Sequence, residues 1–206
     1  MKDKNQIKGI IFDWGGVCCK EGEPFALKAL QFRLSMSPEE IMEKTKDICL
    51  DYYTGRYNSQ EFWQAIMHFF GLKEDTAINP KILSRAYLDS YEIYPKIFNL
   101  ILKLKKRYKL GLLSNLTPEM RDRIQTKHDL DVYFDAQVYS CDADVRSIKP
   151  DRKPYERILK IMKLKPANCL FIDNSEKNIK AGKKIGFKTI LFRDVDKFLA
   201  ESEFLH

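Results

Sequence analysis

Five short apolar runs, rich in β-branched and aromatic residues, recur along this chain of 206 residues. They cover residues 7–12, 109–113, 136–139, 169–172 and 188–192. Their apolarity is continuous rather than alternating, which is typical of strands buried on both faces of a parallel sheet. We therefore predict five parallel strands.

Helical periodicity separates the later runs. Apolar residues recur at helical spacing over residues 95–108, and further helices are predicted over 118–127, 155–163 and 177–185. The candidate N-caps of the helices over 118–127, 155–163 and 177–185 are Thr117, Asp151 and Ser175. Gly186 is expected to end the helix over 177–185. Strands that alternate with helices in this way predict an α/β fold, with a Rossmann-like layered core.

Residues 25–94 differ, because they show helix starts and no convincing strand pattern. Ser37 before Pro38 is one start, and Asn58 with Glu61 is a candidate capping box. An aromatic and aliphatic stripe is expected to be core: Phe62, Trp63, Ile66, Phe69 and Phe70. A helical stretch of about 70 residues is too long for a plain crossover. We predict a helical cap domain over 20–94, above the strand ends of an α/β core formed by residues 1–19 and 95–206.

Composition narrows the class of protein. The chain is 44% hydrophobic, enough for a real core, yet no apolar run approaches the roughly 18 residues of a membrane span. The first residues are polar and lack the apolar core of a signal peptide, so we expect a cytoplasmic protein. The net charge of +7 suits small anionic substrates. We expect neither nucleic acid nor membrane as a partner, and the sequence holds no signal for an oligomeric state.

Five cysteines are present, an odd number at irregular spacing, and no CxxC pattern occurs. This argues against a zinc site and against a disulfide framework. We expect reduced thiols, mostly buried, with Cys18 and Cys19 partly exposed because they follow closely on a candidate site.

Polar residues with chemical potential follow four of the predicted strands. They are Asp13 after the first, Ser114 and Asn115 after the second, Lys149 beyond the third and Asp173 after the fourth. The carboxyl ends of parallel strands form the ligand-binding edge of an α/β sheet. Each residue alone fits a turn, a cap or a surface position. Together at one edge they form the set needed for phosphoryl transfer.

The chemistry explains these residue types. One carboxylate can attack phosphorus to form an acyl-phosphate, and a second can share Mg²⁺ with it. A serine hydroxyl, a lysine and backbone N–H groups can stabilise the equatorial oxygens. The glycines after Asp13 would let the backbone approach an anion closely.

The order of these sites and their local sequences resemble the haloacid dehalogenase-like hydrolase superfamily over almost the whole chain. F-D-W-G-G-V, L-L-S-N, K-P-D and F-I-D-N-S-E-K-N-I resemble its four motifs, and the segment from Ala181 resembles its last helix and strand. The resemblance implies a sheet order of 5-4-1-2-3, a helical cap and Mg²⁺-dependent phosphatase activity. It implies that the catalytic residues are Asp13, Ser114 and Lys149. It also implies that Mg²⁺ is bound by Asp13, the Gly15 carbonyl and Asp173. The residues that it implies around the phosphoryl group are Trp14, Gly15, Ser114, Asn115 and Lys149.

Two departures from the family pattern affect the expected activity. Gly15 stands where typical phosphatases of the family carry a second aspartate that acts as general acid and base. Asn174 stands where the fourth motif often has another aspartate. The resemblance extends to a sugar-phosphatase subgroup with glycine at this first position. The leading hypothesis is therefore a slow phosphate-monoester hydrolase acting through an aspartyl-phosphate, on a small metabolite such as a sugar 1-phosphate.

Two alternatives stay open. A 2-haloacid dehalogenase also lacks the second aspartate, but its fourth motif lacks the acidic residue that Asp173 supplies. A non-catalytic binding or regulatory module would explain Gly15, but it would not need the full set of site residues. Whichever holds, we expect substrate selectivity to be set by cap residues that face the site, with Arg56, Tyr57 and the loop 18–21 as candidates.

Overall fold

A computed structural model describes residues 6–21, 25–75 and 78–202. Its strands within these ranges are β1 (Gly9–Phe12), β2 (Cys19–Glu21), β3 (Tyr91–Ile93), β4 (Lys109–Ser114), β5 (Ala136–Tyr139), β6 (Cys169–Asp173) and β7 (Lys188–Leu191). Its helices there are α1 (Phe25–Leu34), α2 (Pro38–Lys44), α3 (Lys46–Tyr53), α4 (Ser59–Phe69), α5 (Pro80–Leu88), α6 (Pro95–Leu104), α7 (Pro118–His128), α8 (Arg152–Met162), α9 (Glu176–Ile185) and α10 (Val195–Glu201).

Five of the strands form one parallel sheet in the order β5-β4-β1-β6-β7. All five correspond to the predicted apolar runs, so the predicted fold class is confirmed. Without the ribbon strands β2 and β3, the five sheet strands β1, β4, β5, β6 and β7 are the first to the fifth along the chain. Read from the β7 edge, their order in the sheet is then 5-4-1-2-3. Phe12 of β1 pairs with Leu112 on one side and Ile172 on the other. The next residues of these three strands therefore lie in one row at the carboxyl edge.

Helices cover both faces of the sheet and give three layers. Ile10 and Phe12 of β1 belong to one apolar cluster with residues of α6, α7 and α10. Ile11 points to the opposite face and clusters with Tyr155 and Ile158 of α8 and with residues of α9. Strand residues are thus buried on both faces, which accounts for the continuous apolarity of their sequences.

The helices α1 to α5 have an apolar cluster of their own, which includes Leu30, Tyr52, Trp63 and Leu83. Of the predicted stripe, Phe62, Trp63 and Ile66 are buried, Phe70 packs partly against the cluster, and Phe69 is 52% exposed. The prediction of a core stripe is therefore right except at Phe69. The capping boxes of Ser37 with Glu40 and of Asn58 with Glu61 start α2 and α4.

An antiparallel ribbon joins the two groups of elements, because β2 pairs with β3. The expectation that residues 25–94 hold no strand is thus wrong. Each ribbon strand has only three residues, too few for alternation to stand out in the sequence.

Three local predictions also need correction. Asp151 and Ser175 precede α8 and α9 without a side-chain cap bond. The Asp151 carboxylate instead accepts from Ser147 Oγ at 2.9 Å. Cys18 and Cys19 are buried rather than partly exposed. The Thr117 and Gly186 caps are confirmed. Within the described ranges, no helix combines the length and apolarity that a membrane span requires.

Candidate active site

The four residues expected at the strand ends meet at the carboxyl edge of the sheet. Asp13 follows β1, while Ser114 and Asp173 are the last residues of β4 and β6. Lys149 lies in the loop between β5 and α8. All four are buried, with exposures between 0% and 7%. The parallel register explains why residues far apart in sequence converge here.

The Lys149 ammonium lies at the centre of the site. Its Nζ is 2.8 Å from Asp13 Oδ1 and 2.7 Å from Asp173 Oδ2, and it also donates to the Leu113 carbonyl at 2.8 Å. Burial alone would lower the pKa of Lys149, but the two carboxylates outweigh it and raise that pKa. Lys149 is therefore charged, and it is held by the folded strand ends rather than exposed on the surface.

The two oxygens of Asp13 have different surroundings. Oδ1 accepts from the Trp14 backbone N–H at 2.7 Å, from Ser114 Oγ at 2.7 Å and from Lys149 Nζ at 2.8 Å. Among the described residues, Oδ2 accepts no hydrogen bond. Burial raises the pKa of Asp13 to about 6; the Lys149 charge opposes the rise and Asp173 adds to it. The carboxylate is thus fixed by one oxygen and available through the other.

Asp173 is fully buried and surrounded by donors. Its Oδ1 accepts from the Ser175 N–H at 2.8 Å and from Asn178 Nδ2 at 3.1 Å. Its Oδ2 accepts from Lys149 Nζ at 2.7 Å and from the same Asn178 amide at 3.1 Å. Asn178 was missed at the level of sequence. Its position in the first turns of the helix after β6 was a usable signal, because that helix begins at the ligand-binding edge.

Asn115 holds the Lys149 segment through its side chain. Lys149 N–H donates to Asn115 Oδ1 at 2.8 Å, and Asn115 Nδ2 donates to the Lys149 carbonyl at 3.0 Å. The Asn115 side chain is therefore engaged with protein backbone, which leaves the Asn115 backbone for the predicted contact with phosphate.

The loop after Asp13 offers fewer free N–H groups than its two glycines suggest. The Trp14 N–H is directed to Asp13, and its indole is buried against Tyr91 and Phe98. The Gly16 N–H donates to the Cys19 carbonyl at 2.9 Å, and Gly16 has φ +72°. Gly15 is not among the described residues with positive φ. Of these three residues, Gly15 is the one whose N–H makes no hydrogen bond to any described residue.

A cavity of about 270 Å³ opens onto this site. Its described lining consists of Asp13, Gly15, Tyr53, Ser114, Asn115, Ile148, Lys149, Asn174 and Asn178. The substrate-selecting candidates Arg56 and Tyr57 are not in this set, and Arg56 pairs with Asp51 at 2.8 Å. Tyr53, from α3, is there instead. No sequence signal identifies it, because its place depends on how α3 docks.

The charge and the oxygen donors of the site suit a Mg²⁺ ion in part. Two carboxylates face one ammonium, so a negative charge remains, and Asp13 Oδ2 and the Gly15 carbonyl are hard oxygen donors of the kind Mg²⁺ takes. No group of three or more His, Cys, Asp or Glu side chains suited to a metal occurs in the described ranges. Mg²⁺ commonly uses only one or two carboxylates and keeps several waters. Asp173 could join it only if Asn178 released one of its oxygens.

A larger cavity, of about 700 Å³, lies between α4, α5 and α7 and contains none of the four strand-end residues. Glu119 is at its wall, where one oxygen accepts from the Ser59 N–H at 2.6 Å. Its rim carries both signs of charge, including the Arg123–Asp89 pair at 2.6 Å. We place the chemistry in the smaller cavity, because the convergent groups with a perturbed pKa line it.

The sequence pattern of the family described as haloacid dehalogenase-like hydrolase matches residues 7–186. The chain therefore belongs to the haloacid dehalogenase-like hydrolases.

Curated relatives match over shorter stretches. Bifunctional epoxide hydrolase 2 of Rattus norvegicus is 36% identical over 75 residues, which is 36% of this chain and 13% of that protein. Pyrophosphatase PpaX of Bacillus mycoides is 28% identical over 100 residues, 48% of this chain and 46% of that protein. The chain thus spans less than half the length of either relative.

Solved structures support the fold along most of the chain. A haloacid dehalogenase family enzyme from Bacteroides thetaiotaomicron has a TM-score of 0.79 at 20% identity, covering 94% of this chain and 98% of that one. A second structure of that enzyme is a complex with magnesium and inorganic phosphate, with a TM-score of 0.76 at 21% identity, covering 93% of this chain and 98% of that one. The L-2-haloacid dehalogenase of Xanthobacter autotrophicus has a TM-score of 0.61 at 23% identity, covering 96% of this chain and 82% of that one.

Proposed function

We propose that this hydrolase cleaves phosphate monoesters of small metabolites through an aspartyl-phosphate on Asp13, with Mg²⁺ as cofactor. The observation that carries the proposal is the asymmetry of Asp13. Three donors fix Oδ1, while Oδ2 has no described partner and the residue lines the cavity. A fixed carboxylate with one available oxygen is what a nucleophile requires. The magnesium and phosphate complex of the Bacteroides enzyme supports this class of substrate and cofactor.

The residues then divide the reaction between them. Asp13 Oδ2 attacks phosphorus, the bond from phosphorus to the ester oxygen breaks, and the alcohol leaves. Ser114 and Lys149, which already contact Asp13, hydrogen-bond the phosphoryl oxygens, together with the backbone N–H groups of Gly15 and Asn115. The Trp14 N–H, expected from the sequence to contact phosphate, instead holds Asp13 Oδ1. Water attacks the aspartyl-phosphate, releasing inorganic phosphate and restoring the carboxylate. Mg²⁺ held by Asp13, the Gly15 carbonyl and Asp173 would offset the charge of the two carboxylates and the phosphoryl group.

Gly15 limits the turnover rate of the proposed enzyme. It places no side chain beside the leaving oxygen, so the departing alcohol takes its proton from water. General acid–base help is typically worth about 10²–10⁴-fold. We infer a slow enzyme that favours good leaving groups, such as an anomeric sugar phosphate or an aryl phosphate.

The helices α1 to α5 form the cap in this proposal. Their separate apolar cluster supports a domain of residues 20–94 beside a core of 1–19 and 95–206. The presence of Tyr53 in the cavity lining supports its position over the strand ends.

The deciding experiment is a phosphatase panel with Mg²⁺, run on the wild type and on Asp13→Asn. The amide is nearly isosteric but is a poor nucleophile, so the variant should lose turnover while its melting temperature stays near that of the wild type. Asp196→Asn, on the exposed part of α10 where Asp196 pairs with Lys96, is the matched control and should keep full activity. Retained turnover in Asp13→Asn would rule out covalent catalysis on Asp13.

Gly15 also favours one other function, a binding or regulatory module on this scaffold. The four buried residues at the strand ends would then hold a phosphorylated ligand without cleaving it. The same panel separates the two proposals. Phosphate esters that bind but are hydrolysed by neither the wild type nor Gly15→Asp would favour the binding module. A halide released from a 2-haloacid would instead indicate dehalogenase chemistry, which the retention of Asp173 argues against.

A further inference from the structure

The positive charge of this chain is concentrated in one segment. Residues 152–191, from the start of α8 to the end of β7, contain 11 Lys and Arg against 3 Asp and Glu, a net charge of +8. The whole chain contains 36 and 29 of these residues, a net charge of +7. The residues outside the segment therefore sum to −1. The basic character of the protein belongs to α8, α9 and the two strands that follow them.

The fold gathers this charge on one face of the molecule. The helices α8 and α9 contact each other on the same side of the sheet and bury Tyr155, Ile158 and Ile179 there. Their outward sides carry six exposed lysines, which we call the lysine face. These are Lys153, Lys160 and Lys163 along α8 and at its end, and Lys177, Lys180 and Lys184 along α9. The lysines are dispersed in the sequence, and the packing of two helices brings them together.

The carboxylates of the same segment are already engaged. Glu156 pairs with Arg152 at 2.5 Å. Glu176 pairs with Arg193 at 2.6 Å, and Asp173 is fully buried at the strand ends. None of the six lysines forms an ion pair with a residue in the ranges that the structure describes. The lysine face thus presents uncompensated positive charge to the solvent.

Helix capping accounts for only part of the lysine face. Cations in the last turn of a helix complement its dipole, which explains Lys160 and Lys184. Lys153 and Lys177 lie in the first turns of α8 and α9, where the same dipole disfavours a cation. These two lysines therefore extend the positive charge along both helices against the local preference of the helix.

The other side chains of the segment indicate which polyanion fits. Lysine is depleted at protein–protein interfaces, and this argues against an acidic protein. Helices that bind membranes use an apolar face, but α8 and α9 direct theirs to the sheet. Within 152–191, Ile161 is the one exposed large apolar side chain that the structure describes, at 36%. Single strands bind by stacking on aromatic side chains, whereas Tyr155, Phe171 and Phe187 are buried. A duplex, with its regular phosphates, meets all these conditions.

We propose that the lysine face binds the phosphate backbone of double-stranded nucleic acid without reading its sequence. With 11 residues, α8 is about 16 Å long at 1.5 Å per residue. The same length of duplex carries about nine phosphate charges, so the two surfaces match in extent and in charge. None of the six lysines is in the described lining of the cavity at Asp13, and the lysine face is a second surface apart from the candidate active site.

The proposal is independent of the phosphatase function. It departs from the expectation of no nucleic-acid partner, because that expectation came from a sequence in which the lysines are dispersed. The phosphate backbone is recognised by charge alone, so no sequence motif for nucleic-acid binding is needed.

Fluorescence anisotropy with a short labelled duplex tests the proposal. The wild type would be compared, over a series of salt concentrations, with Lys153→Gln/Lys160→Gln/Lys177→Gln/Lys180→Gln. We expect the affinity of this variant to fall by about tenfold or more. The plot of log affinity against log salt should become shallower by about 3–4, since each lost phosphate contact removes about 0.9 from its slope.

The matched control removes the same charge from exposed lysines elsewhere in the chain. It is Lys44→Gln/Lys73→Gln/Lys81→Gln/Lys103→Gln. Its affinity for the duplex should fall by less than about twofold, because salt screens charges that lie far from the contact. Glutamine is a good helix former, so both variants should melt near the temperature of the wild type.

The results that overturn the proposal are distinct. They are no binding of the duplex by the wild type at low salt, an unchanged salt slope in the lysine-face variant, or an equal loss of affinity in the control. Tighter binding of the wild type to a single strand of the same length, or to vesicles of anionic phospholipid, would also overturn it. These last comparisons use the wild type alone, so they do not depend on the stability of any variant.

Discussion

The Asn115 carboxamide is hydrogen-bonded to both backbone groups of Lys149, with the N–H at 2.8 Å from Oδ1 and the carbonyl at 3.0 Å from Nδ2. These two bonds fix the loop that brings the Lys149 ammonium between Asp13 and Asp173. The position of the buried cation therefore depends on a neighbouring side chain that is occupied by protein backbone.

Replacing Asn115 with alanine should impair catalysis through Lys149. A misplacement of about 1 Å can cost roughly 10²-fold in rate, and we expect a loss of that order in kcat. Buried polar groups left unpaired should lower the free energy of unfolding by about 1–3 kcal/mol. Steady-state kinetics and urea unfolding measure the two effects. Asn99→Ala, on the exposed face of α6, is the control and should change neither. Full activity in Asn115→Ala would show that Lys149 is positioned without it.

The Asp13 carboxyl should titrate far above an ordinary aspartate in protein without Mg²⁺. Burial raises its pKa from 3.8 to about 6. Because the folded-state pKa is the higher one, its contribution to stability is fully present below about pH 3.8 and is lost as pH rises through about 6. Carboxyl carbon NMR, assigned by comparison with Asp13→Asn, measures this midpoint directly. A midpoint at or below the ordinary value would contradict the buried environment described here.

Addition of Mg²⁺ should lower the pH at the titration midpoint of the Asp13 carboxyl, because a nearby positive charge favours the ionised carboxylate. The expected result is a shift toward lower pH that saturates with Mg²⁺ concentration. A monovalent salt at matched ionic strength is the control. If the Asp13 midpoint does not move at millimolar Mg²⁺, Asp13 is not a ligand and the cofactor proposal fails.

Gly15→Asp should raise the turnover of alkyl phosphates more than that of aryl phosphates. An aspartate there can protonate a poor leaving group, help that is typically worth about 10²–10⁴-fold, whereas an aryl oxide needs little protonation. Gly15 is not among the residues with positive φ, so its backbone suits a side chain. The ratio of alkyl to aryl kcat/KM is the measurement. An unchanged ratio would mean that the side chain at this position does not reach the leaving oxygen.

Gly16→Ala is the contrasting variant one residue on. Gly16 has φ +72°, and a Cβ there would lie 2.1 Å from Asn174 Nδ2. We expect a loss of stability of about 1–2 kcal/mol from the backbone conformation alone. Because Asn174 is an exposed side chain that can rotate away, the steric part should be small. A variant as stable as the wild type by urea unfolding would contradict the left-handed turn.

The sequence was sufficient to predict the sheet and the four strand-end residues, and it was insufficient for their surroundings. Buried parallel strands are continuously apolar, so residues such as Ile10, Ile11 and Phe12 identify β1 directly. The ribbon strand Tyr91–Ile93 was missed because three residues carry too little periodicity. Its pairing with β2 depends on tertiary contacts that local sequence does not encode.

The residues of the site also fall into two groups, those that the sequence predicts and those that it does not. Asp13 and Asp173 occupy strand ends, which sequence patterns locate well. Tyr53 enters the cavity because Ser140 and Gly55 dock the end of α3 on the core, and no local pattern reports such docking. Arg56 and Tyr57 were reasonable candidates from their position in the insert. They follow the end of α3 and Gly55, where φ is +70°, so the chain changes direction before it reaches them.

The docking of α3 can be tested with two glycines that share a backbone conformation and differ in their surroundings. Gly55 has φ +70° and a Cβ there would meet the Cys141 carbonyl at 2.7 Å, whereas Gly71 has φ +64° and nothing within 4 Å of a Cβ. Both alanine variants should lose about 1–2 kcal/mol from the left-handed backbone. Gly55→Ala should lose more, since the atom it meets is backbone and cannot rotate away.

The added contact should also move Tyr53, because Gly55 lies two residues from it. Because Tyr53 lines the cavity, we expect Gly55→Ala to raise KM for a sugar monophosphate, while inorganic phosphate inhibits as in the wild type. Gly71→Ala should change neither constant, which separates local displacement from general loss of stability. Equal effects of the two substitutions on stability and on KM would mean that the close approach of Gly55 to Cys141 does not position Tyr53, and that the end of α3 is held by other contacts.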